Sequence, residues 1–359
     1  MLWLMDRGTV DVYEAEVEAY LRRPLGVAPG VAAFATAVPD GLLRLDLGSG
    51  PGHMTGALGA PVVAVDAAWS MIARVEVTRL RVQADLEALP FRSGALHGTW
   101  ASKCLQHIPA KRLPLALADL HRSTVVGGRL DLVVFEGSGT WRSDSRDDLP
   151  GRMFWHWPRE RLLDIVHGAG FVDVALRAIE RDPVVELHVS ATRARTLADT
   201  VGPDMRLLVC GLNPSMLSAD VGVGFARPGN RFWPAAIAAG AASLARDPLH
   251  ALRHHGIGMT DVVKRATVAA ADLEDDEYRS GSARLERLCA WLRPKAICFV
   301  GLAGWRAAVE RRAVAGVQPE PFGGVPAYVM PSTSGLNAHS RPADLADHLR
   351  AALALADRS

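Results

Sequence analysis

Two α/β domains in tandem, each a three-layer α/β/α stack around a parallel sheet, are the fold that this 359-residue sequence predicts. Three observations carry the expectation. Residues 42–47 and 205–210 are mostly apolar runs, and each ends in a turn rich in glycine or proline, Gly48-Ser49-Gly50-Pro51-Gly52 and Gly211-Leu212-Asn213-Pro214-Ser215. Leading strands of open parallel sheets end in this way, and ligands bind at such ends. After the first opening, strand-like and helix-like stretches alternate, and the chain is long for one core but comfortable for two.

The elements follow in order. Residues 62–66, 98–101 and 128–135 read as strands, because β-branched and apolar residues dominate them. Residues 141–158 are polar and carry tryptophans, so they read as a loop or lid. Residues 164–171 read as a helix closed by glycine, and residues 172–176 and 184–190 as two final strands. Residues 192–204 lack a core pattern. The domains are therefore expected at 1–195 and 205–359, with 196–204 as the linker.

Composition excludes several classes. Apolar residues make up 49% and charged residues 22%, the balance of an ordinary globular protein. No apolar run approaches the roughly 18 residues that cross a bilayer, so no membrane partner is expected. The apolar start is followed by acidic residues where a secretory signal would be basic, which gives a cytoplasmic expectation. Cys104, Cys210, Cys289 and Cys298 are scattered without metal-ligand spacing, so they read as free buried thiols and no metal is expected. The net charge of +1 demands no nucleic acid, although the C-terminal part carries the excess of basic residues.

The first opening has the make-up of a ligand-binding loop. Glycines let the backbone approach a ligand closely, and a helix following the loop would present free N–H groups. Asp46-Leu47-Gly48-Ser49-Gly50-Pro51-Gly52 resembles the D-x-G-x-G-x-G loop of class I S-adenosylmethionine-dependent methyltransferases, over about residues 40–190. The resemblance implies a Rossmann-like sheet and S-adenosylmethionine as cofactor. It places Asp46, Gly48, Gly50, Gly52, Asp66 and Asp85 in the cofactor site, with Asp85 beside the adenine amine. Residues 102–109 lack the Asn/Asp-Pro-Pro-aromatic tetrad of DNA amino-methyltransferases. They look like the small-molecule and tRNA-modifying branches, and the methyl acceptor stays open. His107 is either an acceptor-side base or structural.

Three ordered motifs lie in the second domain. They are Gly211-Leu212-Asn213-Pro214-Ser215, then Pro228-Gly229-Asn230-Arg231-Phe232-Trp233, then Pro331-Ser332-Thr333-Ser334-Gly335-Leu336-Asn337. With the central segment 256–267 they resemble the mismatch-specific uracil/thymine-DNA glycosylases over about residues 205–355. The resemblance implies a uracil-DNA-glycosylase-like parallel sheet and hydrolysis of the N-glycosidic bond of a flipped uracil, thymine or damaged pyrimidine. Its partner is double-stranded DNA with a mismatched or damaged base; no cofactor is implied for it, and a monomer is expected.

Asn213 would hold the attacking water through its amide oxygen. Gly211, Ser215 and Phe225 would form the base pocket, Phe225 by stacking. Ser332, Thr333 and Ser334 would clamp the phosphate backbone, and Gly335-Leu336 would wedge into the vacated stack. Lys264 and Arg265 read either as phosphate contacts or as a solvated turn. Phe232 and Trp233 read as core, and Asn230 as a brace of its loop. Two departures stand out. Ser215 replaces the usual glycine, and Met330 stands where the fastest uracil enzymes place a histidine. A second reading makes this domain a catalytically silent nucleic-acid reader that positions the methyltransferase.

Overall fold

The computed structural model describes residues 5–24, 26–337 and 340–359. Met1–Leu4, part of the short apolar start, lie outside the described residues. The chain divides into two compact units, Met1–His167 with Phe171–Ala194, and Gly168–Gly170 with Arg195–Ser359.

The first unit opens with α1 (Arg7–Ala15), α2 (Val17–Leu21) and α3 (Val31–Ala37). Asp6 caps α1 by accepting the Thr9 amide at 2.9 Å. There follow β1 (Arg44–Leu47), β2 (Val62–Asp66), α4 (Trp69–Ile72), β3 (Leu80–Gln83) and β4 (Leu96–Ser102). The rest is α5 (Leu113–Ser123), β5 (Thr124–Phe135), β6 (Thr140–Arg142), β7 (Met153–Trp155), α6 (Arg159–Gly168), β8 (Phe171–Arg181) and β9 (Val184–Arg193). Seven strands form one sheet in the order β3-β2-β1-β4-β5-β9-β8. The first five run parallel, while β9 is antiparallel to both β5 and β8. The chain steps to one side of β1 for β2 and to the other for β4, so the switch point lies at β1.

Two expectations change here. Residues 141–158 are not loop throughout, because β6 and β7 pair antiparallel, Trp141 facing Phe154 in register. Strands of three residues have no period to read. The helix expected after the glycine loop is absent, and residues 51–58 run as successive turns. Glycines and prolines crowd residues 50–61, and each interior glycine costs a helix about 1 kcal/mol. The space beside β1 holds the Arg44 guanidinium instead, fully buried. Its Nη1 donates to the carbonyls of Leu42 (3.2 Å) and Ala60 (2.8 Å), and its Nη2 to that of Val38 (2.5 Å).

The second unit contains β10 (Leu207–Gly211), α7 (Met216–Val221), α8 (Phe232–Ala238), α9 (Pro248–His255), β11 (Ile257–Asp261) and α10 (Asp275–Leu292). It closes with β12 (Ile297–Val300), α11 (Leu302–Ala308), β13 (Gly316–Val317), β14 (Ala327–Met330) and α12 (Pro342–Asp357). The sheet order is β11-β10-β12-β14-β13, parallel except for β13. Its switch point lies at β10. Alternate residues Leu207 and Val209 of β10 join Phe232, Trp233, Leu345, Leu349 and Leu353 in one buried cluster. The leucines of α12 recur every four residues, which puts them on a single helix face.

Residues 196–204 are not a free linker, because they belong to the second unit. Val201 is fully buried, Thr200 bridges to Met259, and Asp199 is enclosed. The Asp199 carboxylate accepts from Thr260 Oγ1 (2.7 Å), Lys264 Nζ (2.8 Å) and Arg284 Nη1 (2.6 Å). A buried charge needs such partners, and each of them comes from a distant part of the chain.

Candidate functional site

At the carboxyl edge of the first sheet lies a cavity of about 970 Å³, lined by Asp46, Gly48, Ser49, Gly50, Asp66 and residues described below. Ligand pockets span roughly 300–1,000 Å³, so this one stands at the upper end. Gly48 bends the chain at φ 63°, and a Cβ there would lie 2.2 Å from Cys104 Cβ. The Gly50 amide donates to Asp66 Oδ2 at 2.8 Å, and the Gly52 amide closes the turn onto the Ser49 carbonyl. Asp66 Oδ1 accepts the Ala68 amide at 2.9 Å. Each Asp66 oxygen keeps a second lone pair for a ligand hydroxyl. Burial pushes the Asp66 carboxyl up to about 6 against those amide bonds. Asp46 is likewise raised to about 6 by burial, opposed by the bond from Thr55 Oγ1 at 2.6 Å.

Asp85 stands apart from the expected set. It is buried, accepts the amides of Met5 (3.2 Å) and Glu87 (2.9 Å), and does not line the cavity. Its neighbour Leu86 does.

Across the cavity, α1 contributes Tyr13. Its hydroxyl stands 3.1 Å from His107 Nε2 and accepts from Arg152 Nη1 at 2.9 Å. His107 Nδ1 faces the Met153 carbonyl at 2.7 Å. A carbonyl only accepts, so Nδ1 carries the proton and Nε2 accepts from Tyr13. Burial pushes the His107 imidazole down to about 4, so it is neutral. With Nε2 occupied, His107 positions Tyr13 and is not a free base. Phe135, Phe154 and Trp141 add an aromatic wall to the same cavity.

In the second unit, Asn213 sits just beyond β10. Its Nδ2 donates to the Arg265 carbonyl (3.0 Å) and to Thr267 Oγ1 (2.8 Å). Both amide hydrogens are thereby used, and the Arg265 carbonyl excludes the flipped amide, so Oδ1 is the end left to accept. Gly211 is required by close approach, because a Cβ there would lie 2.4 Å from Asp261 Oδ1 and 3.5 Å from Phe225 Cζ. Phe225 holds φ at 58°, a conformation rare outside glycine. Its ring stacks on Phe232 with centroids 4.1 Å apart, which leaves only its other face for a base.

Sequence reading missed Asp261. It pairs with Gly211 in register at the end of β11, and burial pushes its carboxyl up to about 6. The one available signal was an acidic residue closing a buried strand, as Asp66 does in the first unit.

Several expected contacts are committed elsewhere. Ser215 is the N-cap of α7, where its Oγ accepts the Ser218 amide at 3.2 Å, so its hydroxyl turns to the helix rather than to a base. Lys264 is bound in the Asp199 cluster, and Arg265 makes a two-pronged bond to Glu277 with both oxygens at 2.7 Å. Neither is a free phosphate contact or a merely solvated turn. Thr333 is buried and its carbonyl receives the Arg231 amide, so it does not present its hydroxyl to a phosphate.

Ser332 and Ser334 shape the loop, Ser332 Oγ accepting the Ser334 amide and Ser334 Oγ the Leu336 amide. Gly335 passes close to the Gly229 carbonyl. Leu336 is 87% exposed. Arg231, unremarked in the sequence, clasps the loop by donating Nη2 to the carbonyls of Ser334 and Asn337, both at 2.7 Å, and Nη1 to that of Ser340. Asn230 Oδ1 accepts the Phe232 amide, and Phe232 and Trp233 are core.

The two sites define an α/β domain with a glycine-loop cavity, followed by an α/β domain with a fixed amide just beyond β10 and a loop that exposes Leu336. Residues 45–132 match the family model of a methyltransferase domain, and residues 198–355 that of the uracil DNA glycosylase superfamily. Each of the two models thus matches a different part of the chain. Among solved structures, it is similar to an S-adenosylmethionine-dependent methyltransferase from Methanosarcina mazei, at 14% identity over 47% of this chain and 99% of that one, with TM-score 0.42. It is similar to a possible histamine N-methyltransferase from Thermotoga maritima, at 14% identity over 51% and 99%, with TM-score 0.42. A third similar structure is the 1,6-didemethyltoxoflavin-N1-methyltransferase of Burkholderia thailandensis, at 20% identity over 53% and 80%, with TM-score 0.36.

Proposed function

We propose that the second unit hydrolyses the N-glycosidic bond of uracil, thymine or a damaged pyrimidine in mismatched double-stranded DNA, and that the first transfers a methyl group from S-adenosylmethionine. The observation that carries the first half is Asn213. Its amide is fixed by two donor bonds with the oxygen left to accept, at the switch-point end of the sheet. In that setting Oδ1 orients a water toward the anomeric carbon of an extruded nucleotide, whose base lies against the free face of Phe225. The water loses a proton as its oxygen bonds to carbon and the base leaves with the glycosidic electron pair. Asp261, beside Gly211, would receive that proton. Leu336 fills the gap in the stack.

For the methyltransferase half, the cradle fits the cofactor. Gly48 and Gly50 bring backbone to the cavity, and Asp66 offers two lone pairs that would accept ribose hydroxyls. S-adenosylmethionine would supply an electrophilic methyl group there. Asp46 fixes the loop through Thr55 and Tyr13 closes the opposite side.

The test is a labelled duplex carrying G·U or G·T, incubated with the protein and then treated with alkali to cut abasic sites. Strand breaks with wild type and none with Asn213→Ala support excision. Tight duplex binding without breaks for any lesion replaces it by a reader. Titration of S-adenosylmethionine against wild type and Asp66→Ala tests the other half, and equal affinities would refute it.

A further inference from the structure

The cavity of the first unit extends beyond the glycine loop to a second set of polar groups that the cofactor reading does not use. Glu186 and His188 are two residues apart on β9 and share one face of the sheet. His188 Nε2 stands 3.0 Å from Glu186 Oε2, and Lys103 Nζ stands 2.5 Å from Glu186 Oε1. All three line the cavity. A carboxylate accepts only, so Nε2 of the neutral ring carries the proton and Nδ1 is left as the basic nitrogen.

Strand register places this pair. Leu47 of β1 is level with Ala101 of β4, Ser102 with Val133 of β5, and Val133 with His188 of β9. The row of Leu47 runs through Ala101 and Leu132 to Val189, so His188 lies one residue beyond the end of the glycine-loop strand. It stands three strands away, about 14 Å at the usual spacing of roughly 4.8 Å per strand. That is the side of the switch point away from β2 and β3. The aromatic wall stands there too, with Phe135 opposite Glu186 in register, the Phe135 and Phe154 rings stacked at 6.0 Å, and Trp141 5.1 Å from Phe154. Lys103 holds φ at 58°, a strained geometry that sets it at the mouth of β4.

We propose that His188, oriented by Glu186, is the catalytic base that removes the proton from a small aromatic hydroxyl bound against this wall. The inference rests on the reading of the adjoining site as one for S-adenosylmethionine. The O–H bond breaks and its proton bonds to Nδ1 of His188, leaving the pair on oxygen. That pair attacks the methyl carbon, and the carbon–sulfur electrons return to sulfur. Glu186 is a positioning residue, holding the ring in the tautomer that leaves Nδ1 basic and stabilising the imidazolium as it forms. Burial works to raise the Glu186 carboxyl, but the bonds from Lys103 and His188 outweigh it and hold it below the ordinary range. The charged groups that face His188 are Glu186 on its own strand, Lys103 after β4, Asp131 on β5 and Arg177, its register partner on β8.

The experiment uses the full chain saturated with S-adenosylhomocysteine, and 4-nitrophenol as the probe because its ionised form is coloured. Absorbance of the bound probe is followed from acid to neutral pH for wild type, His188→Gln and Glu186→Gln. Wild type is expected to ionise the bound phenol at least one pH unit below the free phenol, a tenfold shift in its ionisation constant. His188→Gln is expected to restore the free midpoint, with Glu186→Gln between the two. Circular dichroism and an S-adenosylhomocysteine affinity within twofold of wild type show that each variant is folded. A midpoint shared by wild type and His188→Gln overturns the proposal, as does failure of the phenol to bind while the cofactor product binds. Failure of S-adenosylhomocysteine itself to bind would overturn the cofactor reading and the proposal with it.

Discussion

Replacing Gly48 by alanine tests the glycine loop with a magnitude that follows from its geometry. The new Cβ would meet Cys104 Cβ at 2.2 Å and Cys104 Sγ at 2.9 Å, and Cys104 is itself fixed, its thiol donating to the Leu47 carbonyl at 3.1 Å. Overpacking of this kind costs about 1–3 kcal/mol. The backbone at φ 63° adds about 1–2 kcal/mol for any residue with a Cβ. Gly48→Ala is therefore expected to destabilise the unit by about 2–5 kcal/mol. The two causes can be separated. Cys104→Gly removes the atoms that clash but leaves the dihedral unchanged, so the double variant should recover the steric part and retain the rest. The assay is urea unfolding followed by both tryptophan fluorescence and circular dichroism, since a chain of two units need not unfold in one step. A Gly48→Ala variant within about 0.5 kcal/mol of wild type, or no coupling with Cys104→Gly, refutes the packing argument.

Other perturbations have clear expected outcomes. Asp199→Ala strands Arg284 and Lys264, whose side chains are only 8% and 15% exposed, and should cost about 3–5 kcal/mol in the same unfolding assay. Leu336→Ala should leave stability within about 0.5 kcal/mol, because the side chain is 87% exposed, yet slow excision from a duplex about tenfold by weakening extrusion. The pH dependence has a definite sign. The Asp261 carboxyl is raised to about 6 in the fold, so its contribution to stability is present below its usual value near 4 and lost as pH rises through 6. Asp261→Asn should therefore gain on wild type by about 1–3 kcal/mol between pH 4 and 7. Excision by wild type should rise through pH 6, and the asparagine variant should lose that rise. A stability difference flat across this range would contradict the assignment.

The leading strands were legible because apolar runs ending in glycine have few other uses, and both were found where residues 42–47 and 205–210 put them. β3 was not, since Leu80-Arg81-Val82-Gln83 is a partly exposed edge strand without an apolar run. Isolated charges misled for a different reason. Lys264 and Arg265 look available to phosphate until Asp199 and Glu277 are brought to them, and that pairing is tertiary. Asp199 itself lay in a segment whose polar spacing resembles a linker, although its partners bury it. Asn213 stood out in the sequence because its motif is contiguous. Asp261 was not, because its relation to Gly211 exists only across two strands.

The Arg231 clasp bears on how this domain can change. Arg231 precedes Phe232, on which Phe225 stacks, and its guanidinium fastens the loop that carries Leu336. The surface that would enter DNA and the wall that would receive a base are thus mechanically one piece. A graft of residues 331–337 onto another sheet would arrive without its fastening and lose its shape. Substitutions that retune one surface should therefore be felt in the other.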